Sequence, residues 1–234
     1  MNKTAYYPPA DNYRYLVALA LYSKCITVAE ASLALLNAGF SDEAFGMTRT
    51  LLDIFFTLRY IANKDTDERA QLYVEFAAKD KAVWSELFKT FWPHLAQPSI
   101  SDRTFRIASK FPSPHKWSGK LIKDMALEPD TVEVDANGKP VVPDFAYRVN
   151  YRLASHYVHP TVPALSNHLV QAGQDVFVVH SRHGDDMSHL AAFNVASGVA
   201  HTMIYFYRCM GDSQPARVSN WANALIKHLA RRHK

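Results

Sequence analysis

Apolar residues recur at steps of three and four through most of this 234-residue chain. That spacing places them on one face of an α-helix, and it continues from residue 11 to residue 93 with two short interruptions. Gly39 can end the first helix in a left-handed turn, and the second helix is expected to end near Asn63. The third is expected to run without a break from Asp65 to Pro93. Long helices joined by short turns favour an antiparallel bundle, so we predict an all-α fold.

The helical periodicity gives way to a β-prone pattern between residues 131 and 142. Two short runs there flank Asn137-Gly138, the dipeptide that best fits a two-residue hairpin turn. Pro140 restricts its strand to an edge position, so we expect a small hairpin insertion in a single helical bundle. The short linkers indicate one domain over residues 11–232, preceded by a flexible arm at residues 1–10.

Three further elements are predicted after the hairpin. Residues 163–170 have the pattern of a short helical turn, and residues 175–180, DVFVVH, have that of an isolated strand. Asp185 is expected to open a long helix that ends at Gly211.

Nothing near the start of the sequence resembles an export signal. The apolar run YLVALALY is interrupted by Ser23 and Lys24, well short of the ~20 residues of a membrane span. Cys25 and Cys209 lie in apolar helical patterns, which suits buried free thiols in a reducing compartment. A net charge of +4 does not by itself indicate nucleic acid binding. We therefore expect a cytoplasmic protein without membrane contact.

The densest set of chemically useful side chains lies in residues 144–163, DFAYRVNYRLASHYVHPTVP. Asp144 can cap a helix there, and Pro160 disfavours helical geometry at His159, so the helix should end near Val158. Four-residue spacing then sorts the side chains into an aromatic and a cationic stripe. The aromatic stripe contains Tyr147, Tyr151 and Ser155, and the cationic stripe contains Arg148, Arg152, His156 and His159.

Arg152 and His159 are the candidate catalytic pair. An arginine can hold a phosphate and a histidine can move a proton near a 2′-hydroxyl, which is what metal-independent RNA cleavage needs. The spacing is weak evidence by itself, because Arg182 and His189 have it too. Placement at a helix end favours Arg152 and His159. The alternative is structural: the arginine pairs with acids of a neighbouring helix and His159 holds the turn.

Arg49 and Asp53 lie one helical turn apart in an otherwise apolar segment of the second helix. Asp53 can accept a hydrogen bond from Arg148, Arg152 or Tyr151 across the bundle and so orient the candidate site. Registration of the helices is the alternative role for this pair. The sequence leaves both open.

Cofactor and metal sites are weakly supported. His156 and His159 could share an ion at one helix end, but no cysteine joins them and no repeated Glu-x-x-His occurs. The sequence also contains neither a Gly-rich phosphate loop nor a Gly-x-Ser-x-Gly elbow. We therefore predict no cofactor and no metal ligand.

Three blocks of the chain resemble an uncharacterised, mostly bacterial, all-helical family that is known only as a domain of unknown function. They are EAFGMTRTLLDIFFTLRYI at 43–61, KWSGKLIKDMA at 116–126 and YRLASHYVHPTV at 151–162. The residues that match the family's pattern are Arg49 and Asp53, then Trp117, Ser118 and Gly119, then Tyr151, Ser155, His159 and Pro160. Asp53 stands where the family more often has glutamate, and residues 131–142 are an insertion relative to it.

The last block is also similar to the Arg…His helix of the HEPN (higher eukaryotes and prokaryotes nucleotide-binding) superfamily. That resemblance implies a HEPN-like helical core, dimerisation and often ribonuclease activity in toxin or defence systems. The chain departs from the nuclease pattern at Leu153, where a polar residue is usual after the arginine.

These observations lead to one functional hypothesis and two alternatives. The leading one is an RNA- or nucleotide-phosphate-binding protein, in its strongest form a metal-independent endoribonuclease that acts as a homodimer beside an antitoxin or defence partner. The alternatives are a non-catalytic helical interaction module and a metal-dependent hydrolase. Residues expected to bind or orient a ligand are Arg49, Asp53, Arg148, Tyr151, Ser155, His156 and Trp117.

Overall fold

The computed structural model describes residues 12–95, 100–128, 146–159 and 187–211, together with isolated positions between 161 and 179 and at 220. This part of the chain is mostly helical. Its α-helices are α1 (Tyr13–Asn37), α2 (Ser41–Asn63), α3 (Thr66–Glu75), α4 (Ala77–Phe91), α5 (Asp102–Ala108), α6 (Ile122–Ala126), α7 (Arg152–Val158) and α8 (Ser188–Cys209). A π-helical turn, Ala146–Tyr151, leads directly into α7.

Helix α2 is the central element of the described core. It packs against α1, α8, α7, α6 and α3, and most of its residues are buried because apolar side chains occur on all its faces. Leu51, Phe56 and Leu58 have no exposed surface. Alanine in place of a side chain as large and enclosed as Phe56 would cost about 3–5 kcal/mol, so this helix contributes much of the free energy of folding.

The ring contacts of α8 give its direction in the bundle. Phe55 of α2 contacts His201 and Tyr205 in turn along α8, and Tyr22 of α1 stacks on Phe206 at 4.7 Å. A Cβ at Gly211, just beyond α8, would lie 4.0 Å from the Tyr15 hydroxyl at the start of α1. Helix α8 therefore runs alongside α2 and antiparallel to α1. Gly198 permits the close approach, since a Cβ at this position would lie 3.2 Å from the Cβ of Leu51.

The predicted bounds of the first two helices are confirmed. Helix α1 ends at Asn37, and Gly39 follows in the left-handed region at φ 82°. Helix α2 ends at Asn63, as its apolar period predicted. Helix α8 ends at Cys209 with Gly211 at φ 72°, whereas its predicted start at Asp185 lies outside the described residues.

The third predicted helix is wrong as a single element, because it divides at Phe76 into α3 and α4. The Lys79 amide donates to the Phe76 carbonyl at 2.8 Å, a tightened turn, and the Phe76 ring packs edge-on against Phe111. Helix α3 packs against α1 and α2, while α4 packs mainly against α5. Asp65, the predicted start of this helix, makes no side-chain cap and has φ 47°.

The described strands are short and pair with each other. Leu169–Gln171 (β1) and Phe177–Val179 (β2) form an antiparallel pair in which Val170 faces Val178. The strand predicted at 175–180 is therefore present, but the helical turn predicted at 163–170 is wrong at its last two residues. The hairpin predicted at 131–142 and the arm at 1–10 lie outside the described residues.

Both cysteines are free thiols in the core, as predicted. Burial raises the pKa of Cys209 to about 12 and also raises the pKa of Cys25. Helix α1 is apolar and long enough to meet the length and composition of a membrane-crossing helix, which the interruption at Ser23 and Lys24 did not suggest. In this fold it packs against α2 and α8.

A buried polar cluster ties α3 to the segment after α6. Arg69 donates to the Tyr60 carbonyl and to the Glu128 carboxylate, the latter at 3.1 Å, while its guanidinium lies 3.7 Å from the Tyr60 ring centroid. Lys120 pairs with the same carboxylate at 2.9 Å. Arg59 donates to the Ala126 carbonyl at 2.8 Å. No pattern in the sequence predicted this cluster, because its members are far apart along the chain.

Candidate functional site

The π-helical turn begins the segment that carries the candidate catalytic residues. It replaces the α-helix predicted from Asp144, and wider turns of this kind are frequent at functional sites. Tyr147 and Tyr151 stack at 5.1 Å, and both rings pack edge-on against Phe56 of α2. The aromatic stripe therefore faces the core and fixes the turn on α2.

Helix α7 ends where the sequence predicted it. Val158 is the last helical residue, and His159 has extended backbone at φ −107° and ψ 148°. The Thr161 amide donates to the His159 carbonyl at 2.7 Å, and the Thr161 hydroxyl donates to the His156 carbonyl at 3.0 Å. These two bonds hold the chain in the turn that presents His159.

The centre of the site is a contact between Arg49 of α2 and His159. Arg49 Nη1 lies 3.1 Å from His159 Nε2 at the exposed end of α7. Because a guanidinium carries only donors, Nε2 accepts this hydrogen bond and bears no proton in this arrangement. Binding of an anion to Arg49 would release the Nε2 lone pair, which could then take a proton from a group bound next to it.

Tyr151 and Asp53 support Arg49 from the core side. Arg49 Nε donates to Tyr151 Oη at 3.4 Å, and its guanidinium lies 5.4 Å from the Tyr151 ring centroid. Tyr151 in turn hydrogen-bonds to the Asp53 carboxylate. Burial raises the pKa of Tyr151, so its hydroxyl keeps its proton and donates it to Asp53. A chain of contacts thus runs from Asp53 through Tyr151 and Arg49 to His159.

Asp53 is held at a cost to stability. Burial raises its pKa above the ordinary value of 3.8, although the hydrogen bond from Tyr151 and the charge of Arg49 act in the opposite direction. A carboxyl group whose pKa is higher in the folded than in the unfolded state lowers the free energy of unfolding once it ionises. A residue that destabilises the fold near neutral pH is a candidate for a functional role.

Asparagine at position 53 should therefore raise the melting temperature near pH 7 by a few degrees, because it removes the buried charge and keeps a hydrogen-bond acceptor for Tyr151. The wild type is less stable at pH 7 because Asp53 is ionised there. The difference in melting temperature between the two proteins should therefore shrink as the pH falls toward 3.8 and Asp53 becomes protonated. Calorimetry over this range measures it, with Asp80→Asn on the exposed side of α4 as the matched control. A lower melting temperature for Asp53→Asn at neutral pH would show that the pairing with Arg49 outweighs burial.

Close approach of α7 to α2 brings His159 to Arg49. A Cβ at Gly46 would lie 3.4 Å from the Tyr157 carbonyl oxygen, and the Tyr157 ring meets Phe45 edge-on at 5.2 Å. Gly46 is one turn before Arg49 on α2. A Cβ there would be in ordinary van der Waals contact with α7, so a side chain that extends beyond Cβ would meet the backbone of α7. The sequence analysis did not predict that Gly46, Phe45 and Tyr157 form the contact between α2 and α7. A glycine inside an apolar helix was the one signal in the sequence for such a close approach.

The other predicted residues of this segment are arranged differently from the expectation. Arg148, Arg152 and His156 are exposed on the outer side of the turn and of α7. His159 does not continue their stripe, because its backbone leaves helical geometry and its ring turns to Arg49. The Ser155 hydroxyl donates to the Tyr151 carbonyl at 2.7 Å and so braces the helix. The role of Arg152 in binding phosphate stays a prediction.

Trp117 is placed away from the site. Its ring packs edge-on against Tyr60 and Tyr73, with centroids 5.6 and 5.1 Å apart. Tyr60 follows Arg49 by eleven residues on α2, a distance of roughly 16 Å along a helix. The Trp-Ser-Gly block therefore joins α2 to α3 away from Arg49, and the role of Trp117 in binding or orienting a ligand stays a prediction.

Metal chemistry has little support in the part of the chain that the structure describes. No three histidine, cysteine or carboxylate side chains gather there in a way that could hold an ion. His180 and His183 lie outside this part. His159 directs Nε2 toward a guanidinium, and a positive charge at that distance disfavours a metal ion on the same nitrogen.

Comparison with known proteins places the chain in a family without revealing an activity. No curated protein sequence matches the chain, and no solved structure matches it either. A model of a family of unknown function, DUF5677, matches residues 15–176, about two thirds of the sequence. The match covers α1 to α7, including Arg49, Asp53, Tyr151 and His159. The chain therefore belongs to DUF5677, a family of unknown function.

Proposed function

We propose that the Arg49–His159 pair binds a phosphate group of RNA or of a nucleotide, and that the protein is a metal-independent endoribonuclease. The observation that carries the proposal is the 3.1 Å contact between Arg49 Nη1 and His159 Nε2 at the exposed end of α7. A fixed cation and a histidine base at one edge are the two groups that such a reaction needs.

Each residue of the contact chain has a role in this proposal. Arg49 has five N–H donors, and its contacts with Tyr151 and His159 account for two of them within the described part of the chain. The others can hold the oxygens of the scissile phosphate. A phosphate bound to Arg49 releases His159 Nε2 from the guanidinium, and Nε2 then takes the proton of the attacking 2′-hydroxyl. The 2′-oxygen bonds to phosphorus, the bond from phosphorus to the 5′-oxygen breaks, and the 5′-oxygen leaves with a proton from water. Tyr151 and Asp53 fix the direction of the guanidinium and so reduce its reorganisation during the reaction.

The remaining features of the proposal follow from the HEPN resemblance of residues 151–162. They are a HEPN-like helical core, a homodimeric state and a partner in a toxin or defence system. Two other features are expected from the sequence itself: a hairpin insertion at 131–142 from Asn137-Gly138, and a cytoplasmic location without membrane contact from the two cysteines and the interrupted apolar run. Arg152 is exposed about two helical turns before His159 and could bind a second phosphate of an RNA chain.

The test is incubation of the purified chain with fluorescent single-stranded RNA in excess EDTA. We expect cleavage that leaves 2′,3′-cyclic phosphate ends and that EDTA does not reduce, because the reaction uses only protein groups. Activity lost in EDTA and restored by zinc or manganese would support a metal-dependent hydrolase instead. A chain that neither binds nor cleaves RNA of any sequence overturns the proposal.

A second candidate function is a non-catalytic helical interaction module. The observation that favours it is the exposure of several aromatic side chains on α4 and α5, with Phe91 and Phe105 each 65% exposed. Large exposed apolar patches mark interaction surfaces. In that function Tyr147 and Tyr151 serve only to pack the π-helical turn on Phe56.

A further inference from the structure

Helix α4 has almost no partner in the described part of the chain. Of its fifteen residues only Ser85 is buried, and α4 packs mainly on the short helix α5. Its sequence nevertheless contains Trp84, Leu87 and Phe91 at steps of three and four, which form one apolar stripe. A helix with such a stripe needs a surface against which to bury it.

The exposed apolar side chains around α4 form a continuous face. Phe91 lies beside Trp92, with ring centroids 6.2 Å apart, and both Phe91 and Phe105 line a groove of about 660 Å³ between α4 and α5. The α4–α5 face is defined by Trp84, Leu87, Phe91, Trp92 and Phe105. These side chains are 36–65% exposed, far more than residues of their type in a core.

The size of this face suits a stable protein interface. An aromatic side chain buries about 150–250 Å² when fully covered, so the four exposed rings of the face offer roughly 450 Å². A standard interface buries about 800 Å² on each partner. More than half of that area would thus come from aromatic rings, which are the residues that contribute most to binding at interface centres.

The charge and shape of the α4–α5 face favour a second copy of this chain as its binding partner. The groove is lined by two basic and two acidic side chains, Lys79, Lys89, Glu86 and Asp102. Nucleic acid would need an excess of basic residues, whereas a surface with both signs and no net charge does not repel a copy of itself. The same face also carries both a groove and projecting rings, as a two-fold symmetric contact requires.

We propose that the α4–α5 face binds the same face of a second copy of this chain and forms a symmetric homodimer. Phe91 and Phe105 of each copy enter the groove of the other. Helix α4 packs mainly on α5 rather than on α2 or α7, so the face is separate from the Arg49–His159 pair. The inference assigns a surface to the homodimeric state proposed above, and it does not depend on the proposed nuclease activity.

The test is the mass of the full chain in solution, measured by light scattering and by sedimentation from about 1 to 100 µM. The wild type should have twice the chain mass of 26.5 kDa at the upper concentrations. Phe91→Glu should weaken the dimer at least a hundredfold, since each substitution occurs twice in a symmetric contact. Phe105→Glu should act in the same direction.

Leu33→Glu is the matched control, because Leu33 is 46% exposed on α1 and lies outside the α4–α5 face. It should leave the dimer unchanged. All three substitutions replace exposed side chains, so the circular dichroism melting curves should stay close to that of the wild type. A monomeric wild type at 100 µM overturns the proposal, and so does a dimer that survives Phe91→Glu and Phe105→Glu or that only Leu33→Glu dissociates.

Discussion

Alanine at His159 is expected to lower RNA cleavage by about 10²–10⁴-fold, the usual contribution of a positioned proton-transfer group. Arg49→Ala should lower it by about 10²–10³-fold, because the phosphate loses its fixed cation. Arg152→Ala should keep activity within roughly tenfold, as an exposed phosphate contact contributes modestly. The measurement is the single-turnover cleavage rate of the fluorescent RNA in EDTA.

Comparing the cleavage rates of Arg49→Ala and Arg152→Ala shows which of the two arginines binds the phosphate. The sequence predicts Arg152, which six residues separate from His159, whereas the structure brings the Arg49 guanidinium to His159 Nε2. If Arg152→Ala abolishes cleavage and Arg49→Ala does not, the assignment from the sequence is the correct one. His115→Ala, exposed and outside α7, is the control for nonspecific effects and should cleave like the wild type.

Folding of these variants must be checked independently. His159 is exposed at a helix end, so its truncation leaves little cavity and the melting temperature should change by no more than a few degrees. A fall of many degrees in His159→Ala would instead mean that the histidine holds the turn after α7. Cleavage lost without a loss of stability is the result that supports a catalytic role.

Arg69→Ala is expected to lower the free energy of unfolding by about 3–5 kcal/mol, which for a chain of this size lowers the melting temperature by about 6–20 °C. Arg69 is 8% exposed, and it is the donor to both the Tyr60 carbonyl and the Glu128 carboxylate. Without the Arg69 guanidinium, each of these two acceptors loses one hydrogen-bond donor. Urea unfolding at neutral pH measures the change.

An exposed ion pair supplies the matched control for Arg69. Lys89 and Glu86 pair at 3.0 Å on α4 with side chains 55% and 70% exposed, so Lys89→Ala should cost less than about 1 kcal/mol. In a double-mutant cycle, Arg69→Ala and Glu128→Ala together should cost less than the sum of the two single changes. Additive costs would mean that the 3.1 Å ion pair contributes no coupling energy.

Local periodicity was enough to place the main helices. The apolar period and the turn-forming Gly39 predicted the ends of α1 and α2 within about two residues, and Pro160 predicted that α7 would end at Val158. The break at Phe76 was not predictable in this way. It depends on the packing of Phe76 against Phe111, which is 35 residues away in the sequence.

The sequence alone determined that this chain forms helices with apolar faces, that its two thiols are buried, and that His159 lies just beyond a helix. These properties follow from the order of residues within one or two turns. Only the tertiary structure decided that Arg49, 110 residues from His159, is its neighbour, because the contact depends on how closely α7 packs at Gly46. The buried cluster around Arg69 and the exposure of α4 were decided in the same way, since each depends on which helix faces meet after the chain has folded.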